Sequence, residues 1–307
     1  MNEISQKFNS GAESGVIIRE IAPADIGPVV PKVEGTAMVL QCNVPDYRGE
    51  DTGLVEVGAL TPEARTQEQE IARKFFEETL AMVPEEERLG TVIMVIGAST
   101  RLLTETGLQS DRKRGVESAE IVLAEAELAL QKYGLSEDQL MNKPNKKDGH
   151  RKPFEISRLQ DLKFLKDSPE FADFLRDKYG TGRMFWIAFE EMLEEEKRQE
   201  LNAEGPEQIA ERVDGYLAVL ANGLRSWHEK HPGKRVLVWV VSHRDNMGPF
   251  FKVEVSKTGQ VASAEDYLNI QKGGGFVIDI DPNGKTATTT IRGTKFDFEL
   301  GQLSNKE

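Results

Sequence analysis

The sequence predicts an α/β fold built on a mixed, mostly parallel sheet with antiparallel strands near its C-terminal end. Three observations carry this. Short, uniformly apolar runs such as Ala37–Cys42, Thr91–Ile96 and Val236–Val241 have the pattern of strands buried on both faces. Amphipathic helical stretches alternate with them in a βαβα rhythm, and a closing series of short β-rich runs is split by turn residues.

Taken in order, residues 1 to 35 are polar and punctuated by Gly11, Gly15, Pro23, Gly27, Pro28 and Pro31, which predicts an extended N-terminal arm. A first core strand ends at Cys42. Thr61-Pro62 then has the form of a helix start, with Thr61 as N-cap and Pro62 at the first helical position, and Ile71, Phe75, Phe76 and Leu80 follow at helical spacing. The strand Thr91–Ile96 leads through a loop to a helix carrying Ile121, Val122, Ala124 and Leu128. Met141 to Lys152 holds five cationic side chains among Pro, Asn and Gly, the composition of a mobile basic loop. Residues 155 to 200 are expected to be largely helical, with Phe171, Phe174, Leu175, Phe185, Trp186, Phe189 and Met192 on apolar faces.

Pro206 opens the most regular helix of the chain, where Ile209, Val213, Tyr216, Leu217, Leu220, Leu224 and Trp227 recur every three or four residues. Pro232-Gly233 stops it, and the strand from Val236 begins. Phe251–Val255, Phe276–Ile280 and Thr286–Ile291, with a turn at Pro282-Asn283-Gly284, are expected to be antiparallel strands. The organisation inferred is an arm over residues 1–35 and one domain over 36–303 with a helical insertion at about 135–200.

The 307 residues carry 38% hydrophobic and 30% charged side chains, and a net charge of −13 argues against a general nucleic-acid surface, which needs clustered Lys and Arg. Apolar runs fall far short of the roughly 18 residues a membrane span needs. No secretory signal is visible at the N-terminus, and the single cysteine, Cys42, excludes internal disulfides and fits a reducing, cytoplasmic setting. No cofactor or metal site is expected from the pattern.

Of the four histidines, only His243 follows a core strand, in the run Ser242-His243-Arg244-Asp245. The crevice outside the carboxyl ends of the strands is where open α/β sheets bind ligands. The stretch from Gly205 through the Pro206 helix, His231-Pro-Gly-Lys-Arg-Val, and Val241-Ser-His-Arg-Asp245 resembles the second half of the histidine phosphatase, or phosphoglycerate mutase-like, superfamily. Arg114-Gly-Val-Glu-Ser-Ala-Glu120 is similar to that family's Arg-Ala-x-x-Thr-Ala-Glu element, and Gly58-Ala-Leu-Thr-Pro-Glu-Ala-Arg-Thr-Gln67 to its Leu-Thr-x-x-Gly-x-x-Gln helix start, with Ala64 where glycine is usual. The resemblance spans about residues 37 to 250.

It implies a three-layer α/β/α sandwich, with His243 contacting a transferred phosphoryl group and Arg114 binding phosphate, work suited to a guanidinium that holds two phosphate oxygens. A serine normally precedes the Arg114 element, and Ser99 and Ser110 both qualify. The family's defining Arg-His-Gly ends the first strand, where this chain has Leu40-Gln41-Cys42-Asn43; Gln41 then takes the arginine position and Cys42 that of the nucleophile. Leu159-Gln160-Asp161 resembles the family's Leu-x-Glu element, which makes Asp161 the candidate general acid, with Glu155 as the alternative.

A phosphatase-like protein that binds a phosphorylated small molecule, with weak or degenerate turnover because its nucleophilic histidine is missing, is therefore expected. A non-catalytic scaffold on the same fold is the alternative. A third reading rests on Cys42 as nucleophile, since Cys42 and Arg48 have the Cys-x5-Arg spacing of thiol phosphatases; Pro45 and Asp46 within that loop oppose it by removing an amide donor and adding repulsion. Lys272-Gly-Gly-Gly275 fits either an approach to phosphate or a linker before a strand. Neither the substrate nor the oligomeric state is fixed by the sequence.

Overall fold

The computed structural model describes residues 18–44, 60–98, 102–103, 109–110, 114–147, 149–156, 159, 168–180, 183–257 and 268–302. In chain order they form β1 (Glu20–Ile21), β2 (Thr36–Cys42), α1 (Pro62–Met82), β3 (Thr91–Ala98), β4 (Leu102–Leu103), β5 (Gln109–Ser110) and α2 (Arg114–Lys132). There follow β6 (Phe154–Ile156), α3 (Pro169–Tyr179), α4 (Arg183–Glu190), α5 (Glu195–Glu200), α6 (Pro206–His228), β7 (Arg235–Ser242) and α7 (Arg244–Phe250). A π-helical turn at Phe251–Val255 comes next, then β8 (Asn269–Ile270), β9 (Gly275–Ile280), β10 (Thr286–Ile291) and β11 (Thr294–Glu299).

One seven-stranded sheet, in the order β11-β10-β9-β2-β7-β3-β6, organises the molecule. The pairs β2–β7, β7–β3 and β3–β6 are parallel, whereas β9 against β2, β10 against β9 and β11 against β10 are antiparallel. Every residue of β2 is buried, as the uniformly apolar run requires, and helices cover both faces. On one face α1 and α2 pack Phe75, Phe76, Val122 and Leu123 over Ala37, Val39, Val95 and Trp239. The Trp239 indole meets the Phe75 ring edge-on at 5.1 Å. On the other face, α6, α7 and the helices of the insertion bring Leu217, Phe250, Phe171 and Phe189 over Met38, Leu40, Val238 and Val240. This is an α/β/α sandwich.

Local chemistry sets the helix starts that place the site. Thr61 Oγ1 accepts from Ala64 N–H at 3.0 Å and Pro62 fills the first helical position, so α1 begins where the sequence predicts. Pro206 opens α6, and the Gln208 side chain reaches back to the Gly205 amide at 2.8 Å. Residues 18–35 run along the sheet: β1 pairs with β8, Ile26 and Val29 pack on the α1 face, and Lys32 pairs with Asp281. Residues 1–17 lie outside the described set.

Three sequence expectations change. Phe251–Val255 is not a strand but a π-turn continuing α7; its alternation of apolar and charged residues mimics a period of two, yet Lys252 and Glu254 are buried along with Phe251 and Val255. The sheet also holds two strands that were not expected, β6 at one edge and β11 at the other. Arg292 and Gly293 turn β10 into β11 with both residues at positive φ, 50° and 80°, the geometry of a tight two-residue hairpin.

The basic segment is anchored at both ends. Asn142, fully buried, accepts from Val95 N–H at 2.8 Å and donates to Val95 O at 2.9 Å, standing in for a paired strand beside β3. Arg151 closes the other end by donating to Asn142 O and pairing with Glu137.

Candidate functional site

The site lies where β2 and β7 end side by side. Their parallel register pairs Cys42 with Ser242, and the ladder continues one step further, with Asn43 N–H donating to Ser242 O at 2.9 Å. The next residue on each strand is then Asn43 and His243, both 1% exposed, and Asn43 Oδ1 lies 3.1 Å from His243 Nδ1. Asn43 Nδ2 donates to Val44 O at 3.0 Å, which fixes the carboxamide with its oxygen toward the imidazole. An amide oxygen only accepts, so Nδ1 carries the hydrogen and Nε2 is the basic nitrogen of the neutral ring. The residue that touches His243 is thus Asn43, one position beyond Cys42.

Cys42 points to the opposite face of the sheet and is fully buried among apolar side chains. Burial pushes its thiol pKa up, against weaker downward pulls from Lys272, Arg114 and the Arg244 backbone amide. The protonated thiol contacts Asn43 O at 3.5 Å, an arrangement for packing rather than for attack. Those electrostatic neighbours matter more. Arg114 opens α2 beside the end of β3, Lys272 lies in the turn bonded to the end of β2, and Asp245 follows the end of β7.

Glycines make that arrangement possible. A Cβ on Gly115 would sit 2.5 Å from Ala98 O, and one on Gly97 would sit 2.9 Å from the Val116 Cα, so only glycine lets the start of α2, with Arg114 on it, press against the end of β3. Glu117 ties this helix start to the other one, accepting from Leu60 N–H at 3.2 Å and from Arg65 Nη2 at 3.1 Å. The run Lys272–Gly275 is likewise held fast. Gly273 N–H donates to Cys42 O at 3.1 Å, Cys42 N–H donates to Gly274 O at 2.8 Å, and a Cβ on Gly274 would come within 2.5 Å of Ile21 O. This is a fixed turn across the end of β2, and it brings Lys272 to the site.

Gln41, two residues before Asn43, faces α1. Its oxygen accepts from Trp239 Nε1 at 2.8 Å, while its nitrogen donates to Glu68 Oε2 at 3.1 Å and Gly273 O at 3.3 Å. Glu68 is fully buried on α1, and desolvation raises its pKa to about 8, with Gln41 pulling slightly the other way. It is a carboxyl group kept largely neutral at pH 7.

Past His243 the chain enters α7. Asn246 Nδ2 donates to Leu159 O at 2.9 Å, and Arg244 pairs with Glu190 of α4 at 3.0 Å, so Leu159 and α4 are fastened directly to the His243 turn. Glu155 lies on β6 beside Gly97 and is exposed. Ser110 is on β5. Arg48, Ser99 and Asp161 lie outside the described residues. No group of three or more metal-ligating side chains, and no helix long and apolar enough to cross a membrane, occurs among the described residues.

Of the residues named from sequence, His243 and Cys42 fall at adjacent strand ends with the Cys42 side chain turned to the other face, and Arg114 opens α2 beside the end of β3. The sequence reading missed Asn43, Glu68 and the Gly97–Gly115 contact. An Arg-Gly pair opening a helix was a signal for that contact; nothing in the pattern marked Glu68.

No protein-family model matches the chain, and no curated protein matches it in sequence. Among solved structures the chain is similar to a mycobacterial glucosyl-3-phosphoglycerate phosphatase, at 13% identity and a TM-score of 0.45, over 83% of this chain and 97% of that one. It is also similar to a phosphoglycerate mutase from Bacillus anthracis str. Sterne, at 13% identity and a TM-score of 0.44, over 89% of this chain and 95% of the other.

Proposed function

We propose that the chain is a divergent relative of the histidine phosphatases that binds a phosphomonoester at His243, Arg114 and Lys272 without forming a phosphohistidine, in the cytoplasm. The observation that carries this reading is the 3.1 Å contact between His243 Nδ1 and Asn43 Oδ1 at register-matched strand ends. In the resembled family a histidine nucleophile ends the first strand; here a carboxamide stands beside His243, and a carboxamide is neither a nucleophile nor a phosphoryl carrier.

No other histidine can substitute. His228 and His231 lie at the far end of α6, with His228 beside Thr36 at the start of β2, and His150 sits in the turn before Arg151. What remains suits anion binding: two cations, Arg114 and Lys272, and an imidazole whose tautomer is fixed. His243 can present Nε2 to a phosphate oxygen, donating to it when protonated. General acid–base assistance to a weak hydrolysis is compatible with this arrangement, but a covalent intermediate is not.

Titration with vanadate and inorganic phosphate, alongside p-nitrophenyl phosphate assays, tests the reading. Saturable phosphate binding that Arg114→Ala weakens about 10- to 100-fold is expected, from the loss of a charge-assisted contact. Turnover at ordinary enzymatic rates that vanishes in His243→Ala would contradict it. Failure of phosphate to bind would favour the alternative, a scaffold that uses the fold alone.

A further inference from the structure

Arg244, the residue after His243, enters a buried charge cluster that the binding reading leaves unused. Glu190, its side chain 2% exposed, offers one carboxylate oxygen to each of two cations: Oε1 to Arg244 Nη2 at 3.0 Å and Oε2 to Lys252 Nζ at 2.9 Å. Lys252, 7% exposed, also pairs with Glu191 at 2.9 Å. Arg244 is the most accessible of the three at 16%, and its guanidinium lies 5.3 Å from the Trp186 ring of the insertion. It directly follows His243, at the first position of α7.

We propose that Arg244 is a ligand-gripping residue: a phosphate dianion draws its guanidinium off Glu190, while the Glu190 carboxylate stays paired with Lys252. The inference rests on the phosphate-binding reading and deepens it. Removing one partner of a buried ion pair normally leaves an uncompensated charge, at a cost that would forbid such an exchange. Here each Glu190 oxygen has its own cation, so releasing Arg244 leaves Lys252 in place, and Lys252 is itself shared with Glu191. Trp186 supplies an aromatic face along which the guanidinium moves without losing its cation–π contact. In the unliganded protein Glu190 acts as a holding partner, keeping a cation next to His243. The helical insertion, through Trp186 and Glu190, thereby sets how readily the site accepts an anion.

Calorimetric titration of the full chain with inorganic phosphate separates this from a structural role. Arg244→Gln is expected to weaken phosphate binding about tenfold, as for one charge-assisted hydrogen bond. Glu190→Gln is expected to tighten it several-fold, because the competing carboxylate is neutralised; a merely structural ion pair gives weaker binding, never tighter. Lys252→Met should weaken it, since Glu190 then loses the cation that stays behind and holds Arg244 more tightly. Should Arg244→Gln fail to fold, Arg244→Lys and Glu190→Gln carry the test. If Arg244 variants bind like the parent while Arg114→Ala still weakens binding, the Arg244 role is wrong and the phosphate site stands. Weakening by Arg244→Gln and Glu190→Gln alike also overturns it. If the parent chain binds no phosphate, both readings fall.

Discussion

The ends of β2 and β7 are neighbours in one ladder and equally buried, yet they carry opposite kinds of chemistry. At the end of β7, His243, Arg244 and Asp245 form a titratable and charged turn, fastened to the insertion through Glu190. At the end of β2 stand Gln41, Cys42 and Asn43, all uncharged, satisfied by Trp239, Glu68, Gly273 and backbone carbonyls. The register of the two strands is fixed by Ala37–Leu40 against Leu237–Val240, well before either end. The strand-end residues can therefore differ in chemistry without disturbing the fold.

The largest effect should come from placing a nucleophile at the uncharged end. Asn43→His places an imidazole beside His243, and incubation with p-nitrophenyl phosphate should then give an acid-labile phosphoenzyme approaching one phosphoryl group per chain, against none in the parent. Hydrolysis of that species should be slow, since the residue before the new histidine is Cys42 rather than a cation that could stabilise the transition state. Intact-mass measurement at neutral and acidic pH checks this; a variant that folds, binds phosphate and never becomes labelled shows that position 43 is not the nucleophile's place.

A smaller effect concerns the buried carboxyl behind Gln41. With a folded pKa near 8 and an ordinary unfolded value of 4.5, Glu68 binds its proton more tightly in the folded state. Its contribution to stability is complete below about pH 4.5 and is lost as pH rises through 8. Glu68→Gln should remove this loss, so that denaturant melts of the variant gain on the parent by about 3 kcal/mol between pH 5 and pH 7.5. An unchanged difference across that range would mean that Glu68 is ionised and otherwise paired.

Least disruptive should be Cys42→Ser, costing about 1 kcal/mol for a hydroxyl placed in an apolar pocket with one carbonyl acceptor. Phosphate affinity should not change, and iodoacetamide should label the native parent only as fast as it opens. Rapid alkylation with loss of phosphate binding would restore the thiol to the site.

The sequence disclosed the sandwich because its strongest signals are local. Thr61-Pro62 caps α1, Pro206 and its apolar stripe make α6, and the uniformly apolar β2 and β7 have no solvent face to occupy. The same uniformity hid the phase of β2. A strand buried on both sides has no alternation to show which residues share a face, so Gln41, Cys42 and Asn43 were indistinguishable until the pairing with β7 was seen. Phe251–Val255 misled for a related reason, since Lys252 is charged yet buried by Glu190 and Glu191, partners some sixty residues away. β11 went unseen because Arg292 occupies a turn position usually marked by Asn or Asp.

The most direct test of a non-covalent phosphate site built on His243 is a ¹⁵N imidazole NMR titration of the parent chain with inorganic phosphate. The His243 Nε2 signal should move saturably, with Nδ1 remaining protonated against Asn43, and the shift should be absent in Arg114→Ala. A His243 ring that ignores phosphate, or one that converts to a phosphorylated form, would contradict it.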